Sequence, residues 1–399
     1  MLAERIGHIE LSPTFRINAT ARRMRAEGID VLDFSVGEPD FPTPPSAKEA
    51  GKHAIDTDFT RYTANEGTLT LRRAIAKKLH DDNGLTYAPE QILASPGAKA
   101  SLYCAAMALF GPGDEVIVPS PYWVSYPEQI RLAGATPVVV AATEENGFKL
   151  APRDLERAIG TKTKGLFLNY PCNPTGACFD RDELAAIAKI AVAHDLVVVA
   201  DEIYEKLLYD GRTFTSIAAI SKEIAARTVV VNGMSKAFAM TGWRLGYAAG
   251  PKEIIDAMAT VQSHATSHPA SIAQAAGEAA LERAGEDVRK MAQAFVARRD
   301  KIVGAIAAIP GMSCVTPAGA FYVFPNVSKL FGRKIGGRAI GSGQDLAEAL
   351  LETARVAVVP GEAFGSRDHI RLSYACSRAT IDEGMKRIAE ALRAGSGAR

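Results

Sequence analysis

Between about Ile92 and Gly250, short runs rich in β-branched residues alternate with longer helix-forming stretches, a rhythm that few architectures satisfy. The strand-like runs are Glu115 to Val118, Gly165 to Asn169, Leu196 to Ala200, Thr228 to Val231 and Leu245 to Ala248, with Ile92 to Ala94 ahead of them. Helical stretches cover Ala98 to Phe110, Arg181 to His194 and Pro251 to Gln262. The run Leu196 to Ala200 has no polar face, so both of its faces must be covered, and intervening helices supply right-handed crossovers. The alternation predicts an α/β core around a mostly parallel sheet.

Beyond that core, a long helical region from Ser271 to Ile309 is weakened at Gly277 and Gly285. It leads to strand-like runs at Phe321 to Phe324, Val356 to Val359 and Ile370 to Tyr374, with helices at Gln344 to Thr353 and Thr380 to Leu392. This half reads as a smaller α+β unit. A chain of 399 residues is long for one compact core, so two domains are expected. The glycine-rich segment Phe331 to Gly343 fits no phosphate-binding spacing and reads as a mobile surface loop. No strand, GxGxxG and helix succession and no Walker A pattern occurs, which weakens nucleotide-fold readings.

Charge and cysteine usage narrow the partners. With 46 Lys+Arg against 45 Asp+Glu, the formal net charge of +1 offers no global field for nucleic acid or an anionic membrane. The five cysteines include no CxxC pair, and an odd count suits reduced thiols. The N-terminal residues contain no apolar stretch of signal-peptide length, and no run of about 20 apolar residues occurs anywhere. A cytoplasmic chain without nucleic-acid or membrane partners is expected.

Ligands of open α/β sheets gather at the carboxyl ends of the strands. Leu196 to Ala200 runs into Asp201, with Tyr204 three residues on. Gly165 to Asn169 runs into Tyr170-Pro171-Cys172-Asn173-Pro174-Thr175-Gly176, Thr228 to Val231 into Asn232-Gly233-Met234-Ser235-Lys236, and Ile92 to Ala94 into Ser95-Pro96-Gly97. An acid, an amide, a phenol, a lysine and a glycine turn would share one sheet edge. Singly, each has a plainer reading: Lys236 as a solvated surface lysine, Asp201 as a helix N-cap, Asn173-Pro174 as a turn.

Together they resemble the fold-type I, pyridoxal-phosphate-dependent class I aminotransferases over nearly the whole chain. Ser235-Lys236-Ala237-Phe238-Ala239-Met240-Thr241-Gly242-Trp243-Arg244 is similar to the family's cofactor-lysine segment. Asn173-Pro174-Thr175-Gly176, Asp201-Glu202-Ile203-Tyr204, Ser120-Pro121-Tyr122-Trp123 and Arg371-Leu372-Ser373-Tyr374 resemble further family blocks in the expected order. The resemblance implies a large domain over 46–290 with a seven-stranded, mostly parallel sheet, and a small α+β domain from 1–45 with 291–399. It also implies pyridoxal 5'-phosphate as cofactor, amino acids and 2-oxo acids as substrates, and a homodimer with shared active sites.

Transamination needs an amine to hold an aldehyde cofactor as a Schiff base, an electron sink and a proton-moving base. By resemblance, Lys236 is both amine and base, Asp201 faces the pyridine nitrogen, and Asn173 and Tyr204 hydrogen-bond the ring oxygen. Trp123 stacks on the ring. Gly97, Ala98 and Lys99 open a helix onto the phosphate, joined by Ser235 and Arg244. Some relatives carry serine three residues before the lysine, where this chain has Gly233. Tyr62 resembles the tyrosine that reaches the partner subunit's phosphate. Arg371 matches the arginine that grips the substrate α-carboxylate, with Gly37, Trp123 and Asn173 beside it.

Lys99 points to the substrate. Bacterial aspartate aminotransferases of the Thermus type carry a lysine there that reads the distal carboxylate, so aspartate or glutamate with 2-oxoglutarate is the expected pair, through ping-pong half-reactions. Aromatic or kynurenine transamination, or carbon–sulfur lysis on the same scaffold, are the alternatives. Ser12 stands where prephenate-using relatives have lysine, so prephenate activity is not expected. The resemblance further implies cis peptide bonds at Ser120-Pro121 and Asn173-Pro174, and leaves a role for Cys172 open.

Overall fold

The computed structural model describes residues 2–9 and 13–394. Its centre is a seven-stranded sheet in the order Ile92–Ser95, Gly246–Ala249, Thr228–Gly233, Val197–Asp201, Thr163–Asn169, Glu115–Ser120 and Thr136–Ala141. Gly246–Ala249 runs antiparallel to both neighbours, and the other pairings are parallel, so the sheet is mostly parallel as expected. Thr228–Gly233 is buried at every position, which is why its sequence lacks a polar alternation. The edge strand Thr136–Ala141 was not among the expected strands. It is only partly covered, with Val139 50% exposed.

Asp201 closes its strand instead of following it, paired with Asn169 on one side and Val231 on the other. Helices on both faces carry local start signals. Asp180 and Glu183 form a reciprocal capping box before Arg181–Ala193. Thr68 caps Leu69–Asn83, which ends on Gly84 with φ 67°.

The Ser271 to Ile309 region is two helices, Ser271–Arg283 and Gly285–Ala307. The interruption falls at Ala284 beside Gly285, while Gly277 sits unbroken within the first helix. A Cβ at Gly277 would collide with Leu245, so this glycine serves close packing and not helix termination. The Phe331 to Gly343 segment is also corrected. Lys334–Ile335 pairs antiparallel with Arg338–Ala339 across Gly336 and Gly337, which have φ 57° and 84°, and Ile335 is buried. Two consecutive positive-φ glycines suit a tight hairpin, so the segment is a structured ribbon.

The expected strand Val356 to Val359 divides in two. Val356–Ala357 pairs in parallel with Leu32–Asp33, and Val359–Pro360 joins a three-stranded antiparallel sheet with Ile370–Ser373 and Tyr322–Val323. An apolar core containing Phe295, Phe321, Leu350, Ile370 and Ile388 lies beneath these elements, separate from the cores flanking the large sheet. Phe34 is fully buried in it. Burying one phenylalanine contributes about 2–3 kcal/mol, and this one fastens the N-terminal segment, hence Ser35 and Gly37, to the C-terminal half. Among the described residues, no helix is long and apolar enough to cross a membrane.

Candidate active site

A cavity of about 300 Å³ opens at the carboxyl ends of the central strands. Its wall includes Lys236, Asp201, Tyr204, Asn173, Arg371 and Lys99. Ala98, Trp123, Ser235, Arg244 and Gly37 also line it. Parallel strands deliver Asp201, Asn173, Lys236 and Gly97 to one edge, and Gly37 and Arg371 join them there from outside the central sheet.

Lys236 extends from the short helix Met234–Ala237, directly after the strand Thr228–Gly233. Its Nζ donates to the Gly37 carbonyl at 2.6 Å. Burial lowers its pKa to about 8, with Glu38 opposing that change and the Arg371 and Arg244 charges reinforcing it. Roughly a tenth of this amine is then neutral near pH 7, against well under a hundredth for an ordinary lysine, which makes it competent as nucleophile and base.

Asp201 is 5% exposed. Tyr126 Oη donates to Oδ2 at 2.7 Å and the Ile203 N–H to Oδ1 at 3.3 Å. Burial raises its pKa to about 6, while the Tyr126 hydrogen bond pulls it back. Each carboxylate oxygen retains acceptor capacity, so the group suits a cationic N–H. Asn169 Nδ2 holds the Asp201 carbonyl at 2.9 Å, and its Oδ1 accepts the Asn173 N–H at 2.9 Å, linking neighbouring strand ends.

Arg371 lies in the strand Ile370–Ser373 and is 4% exposed. Nη1 donates to Asn173 Oδ1 at 2.9 Å and Nη2 to the Ser35 carbonyl at 2.7 Å. Its Nε has no partner, and no carboxylate pairs with it among the described residues. A buried guanidinium satisfied only by neutral acceptors has capacity left for an anion.

Gly97, with φ 88°, precedes the helix Ala98–Leu109, whose first N–H groups lack intrahelical partners. A Cβ at Gly97 would lie 2.6 Å from Arg244 Nη2, so glycine lets the guanidinium rest against the turn. Arg244 Nη1 donates to the Thr241 carbonyl at 2.8 Å. Lys99 is exposed on the rim with Nζ 4.8 Å from the Trp123 ring centroid. Partial desolvation and then the Arg244 charge hold its ammonium below the usual lysine value. Asp201 is the acidic member among the described lining residues, while Lys99, Arg244 and Arg371 supply cations. The donor set therefore fits a phosphorylated pyridine aldehyde: free N–H groups and Arg244 for a dianion, Asp201 for a ring N–H, and Lys236 for the aldehyde.

One expectation changes. The cis bonds are Ser120-Pro121 and Tyr170-Pro171, so the second lies not at Asn173-Pro174 but three residues earlier. Gly176 N–H to the Cys172 carbonyl at 2.8 Å and Cys172 N–H to the Ala177 carbonyl at 2.9 Å close the following turn, and this turn carries Asn173 to the cavity. Tyr62 stands outside its own chain's cavity, 94% exposed and edge-on to His268 at 5.6 Å. Cys172 is buried with Sγ 3.6 Å from the Pro121 carbonyl. Burial pushes its thiol up to about 11, which keeps it protonated and unreactive near pH 7. Ser12 lies outside the described residues.

Tyr126, Asn169, Tyr322 and Phe364 also line the cavity but were not singled out from sequence. Tyr126 follows Trp123 by three residues across the turn that opens the helix Ser125–Leu132, its N–H donating to the Trp123 carbonyl at 3.0 Å and the ring centroids 5.4 Å apart. Tyr322 offered no local signal, because only the pairing of the Tyr322–Val323 strand with Ile370–Ser373 brings it in.

Residues 29–388 match the family model described as aminotransferase class I and II. The aspartate aminotransferase of Geobacillus stearothermophilus is 45% identical over 97% of this chain and 98% of its own length. The aspartate/prephenate aminotransferase of Cereibacter sphaeroides is 46% identical over 97% of each. Among solved structures, the aspartate aminotransferase of Rhizobium meliloti superposes with TM-score 0.95 at 42% identity, covering 98% of this chain and 99% of that one. Thermus thermophilus aspartate aminotransferase with maleate gives TM-score 0.92 at 42% identity, again over 98% and 99%. Agreement of this extent, in a chain whose lysine, acid and buried arginine converge on one cavity, places it in the class I and II aminotransferase family.

Proposed function

We propose that this aminotransferase moves the amino group of aspartate or glutamate to a 2-oxo acid such as 2-oxoglutarate. The observation that carries this reading is the charge imbalance of one cavity. Arg371, Lys99 and Arg244 face it without a paired carboxylate among the described residues, beside a lysine whose pKa is lowered to about 8. A dicarboxylate and a phosphate together call for that surplus.

Pyridoxal 5'-phosphate, when bound, supplies an aldehyde and an electron-accepting ring. Gly97, Ala98, Ser235 and Arg244 would hold its phosphate, Asp201 its ring nitrogen, Asn173 and Tyr204 its ring oxygen, and Trp123 its face. Arg371 fixes the substrate α-carboxylate with two parallel donors, and this orients the α-carbon toward Lys236. Lys236 Nζ, neutral in part at pH 7, takes the α-proton and returns it on the other side of the transfer. Lys99, on the rim, attracts the distal carboxylate.

Three further elements belong to this reading. The packing of Ile17, Ala21, Met24 and Val31 with Leu351 and Ala357 in one small core supports a division into 46–290 and 1–45 with 291–399. Tyr62, a large aromatic 94% exposed, supports a homodimer in which it reaches the partner subunit's phosphate site. Free thiols at all five cysteines support a reducing, cytoplasmic setting.

The test is a screen of single amino acids against 2-oxoglutarate with the cofactor-loaded protein. Aspartate and glutamate should give the highest kcat/KM. A preference for phenylalanine, or release of the oxo acid without an amine-form cofactor, would overturn the reading.

A further inference from the structure

Tyr322 is 1% exposed, yet it lines the cavity and touches groups from separate parts of the chain. Its hydroxyl lies 2.8 Å from the Tyr204 hydroxyl. Its ring lies 4.5 Å from the Arg371 guanidinium, which Phe364 covers at 5.0 Å from another side. Its hydroxyl also fills the space over Gly37, where an added Cβ would come within 2.8 Å of it. We propose that Tyr322 is a positioning residue for transamination, setting the proton of the Tyr204 hydroxyl and the plane of the Arg371 guanidinium at the same time. This rests on the roles given above to Tyr204 and Arg371.

Two phenols in contact share one hydrogen bond, and only one of them donates it. If Tyr204 donates to Tyr322, its proton is spent. If Tyr322 donates, the Tyr204 proton is free for an acceptor inside the cavity. A cation over a phenol ring stabilises charge on its oxygen and makes that phenol the better donor. Arg371 stands over Tyr322. The Arg371 charge opposes the upward push of burial at both phenols, and the Tyr204 hydroxyl is still held well above the usual range. Because the guanidinium lies over the Tyr322 ring, we assign the donor direction Tyr322 to Tyr204, which leaves Tyr204 to act toward the cofactor ring oxygen. The same ring limits guanidinium rotation, leaving Nε and the fork edge available to a carboxylate.

Tyr322→Phe removes the hydroxyl and keeps the ring, while Tyr322→Leu removes both. The probes are the pH midpoint of the bound cofactor's visible absorbance change and the KM for aspartate, with Tyr204→Phe as reference. Loss of one neutral hydrogen bond should move the midpoint of Tyr322→Phe upward by about 0.3–1 pH unit, in the same direction as Tyr204→Phe and by less. Its KM for aspartate should stay within about twofold. Tyr322→Leu should show the same midpoint shift and a KM raised about 5-fold or more, on the scale of a lost cation–π contact. An unmoved midpoint in Tyr322→Phe while Tyr204→Phe shifts would overturn the Tyr322 role alone. An unmoved midpoint in Tyr204→Phe itself would remove the role of Tyr204 and the proposal with it.

Discussion

Tyr126 donates a 2.7 Å hydrogen bond to Asp201, joining a helix-borne phenol to the terminal residue of a central strand. Both partners are buried, so the bond works in a poorly solvated setting where an unmade partner is expensive. It opposes the upward push that burial exerts on the Asp201 carboxyl. Tyr126→Phe should therefore raise the Asp201 pKa above about 6 and weaken retention of a cationic ring N–H. Cofactor Kd should rise roughly 5- to 10-fold, on the scale of one typical net hydrogen bond. Titration of cofactor into the unloaded variant reads this directly, and an unchanged Kd would show that the Ile203 N–H suffices.

The amine of Lys236 gives a pH signature. Burial disfavours the ammonium form, so its pKa falls to about 8 and the neutral amine dominates above that pH. Capture of pyridoxal 5'-phosphate by the unloaded protein should accelerate about tenfold per pH unit below that point and level off above it. An ordinary lysine would keep accelerating to about pH 10. Glu38 pulls in the opposite direction to burial, so Glu38→Gln should shift the plateau to lower pH. Lys236→Ala should show no covalent capture at any pH and no turnover.

Gly233 stands where some relatives carry serine, and its surroundings explain why a side chain is excluded here. A Cβ there would lie 2.7 Å from the Gly246 Cα and 2.9 Å from the Leu245 carbonyl, both backbone atoms that cannot swing aside. Gly233→Ser should thus displace the strand end that carries Lys236 and not add a phosphate ligand. Overpacking of this kind costs about 1–3 kcal/mol, which corresponds to a Tm loss of roughly 1–6 °C for a protein of this size. Differential scanning calorimetry of the unloaded protein decides it: a Tm equal to the parent's would mean that the strands can part.

Much of this site was legible because parallel strands announce themselves as apolar runs, and whatever follows each run lands on one edge. Asp201, Asn173, Lys236 and Gly97 were reached that way. Arg371 and Gly37 lie outside the central sheet, and resemblance alone pointed to them. Tyr322 escaped although Phe321 to Phe324 reads as a strand, because only its non-local pairing with Ile370–Ser373 brings it to the cavity. The turn at Gly336 and Gly337 was misread for a related reason, since glycine richness marks both mobile loops and tight hairpins and only the burial of Ile335 separates them.

Lys99 carries the substrate assignment, and its environment sets the size of the effect. Truncating one member of a desolvated charge pair costs about 2–5 kcal/mol, which would correspond to a loss of roughly 30-fold or more. Lys99 is exposed on the rim, however, and solvent screens it, so the lower end of that scale applies. Lys99→Ala should reduce kcat/KM for aspartate and glutamate by about 5- to 30-fold. Phenylalanine and alanine have no distal carboxylate and should change by less than about twofold. The rival reading assigns Lys99 only to the phosphate, as a cation at the start of the helix Ala98–Leu109. In that case the variant would bind cofactor less tightly and lose activity with all substrates in parallel. Aspartate and phenylalanine assayed side by side at saturating cofactor separate the two, and equal losses would leave the preference for an acidic substrate without its cation.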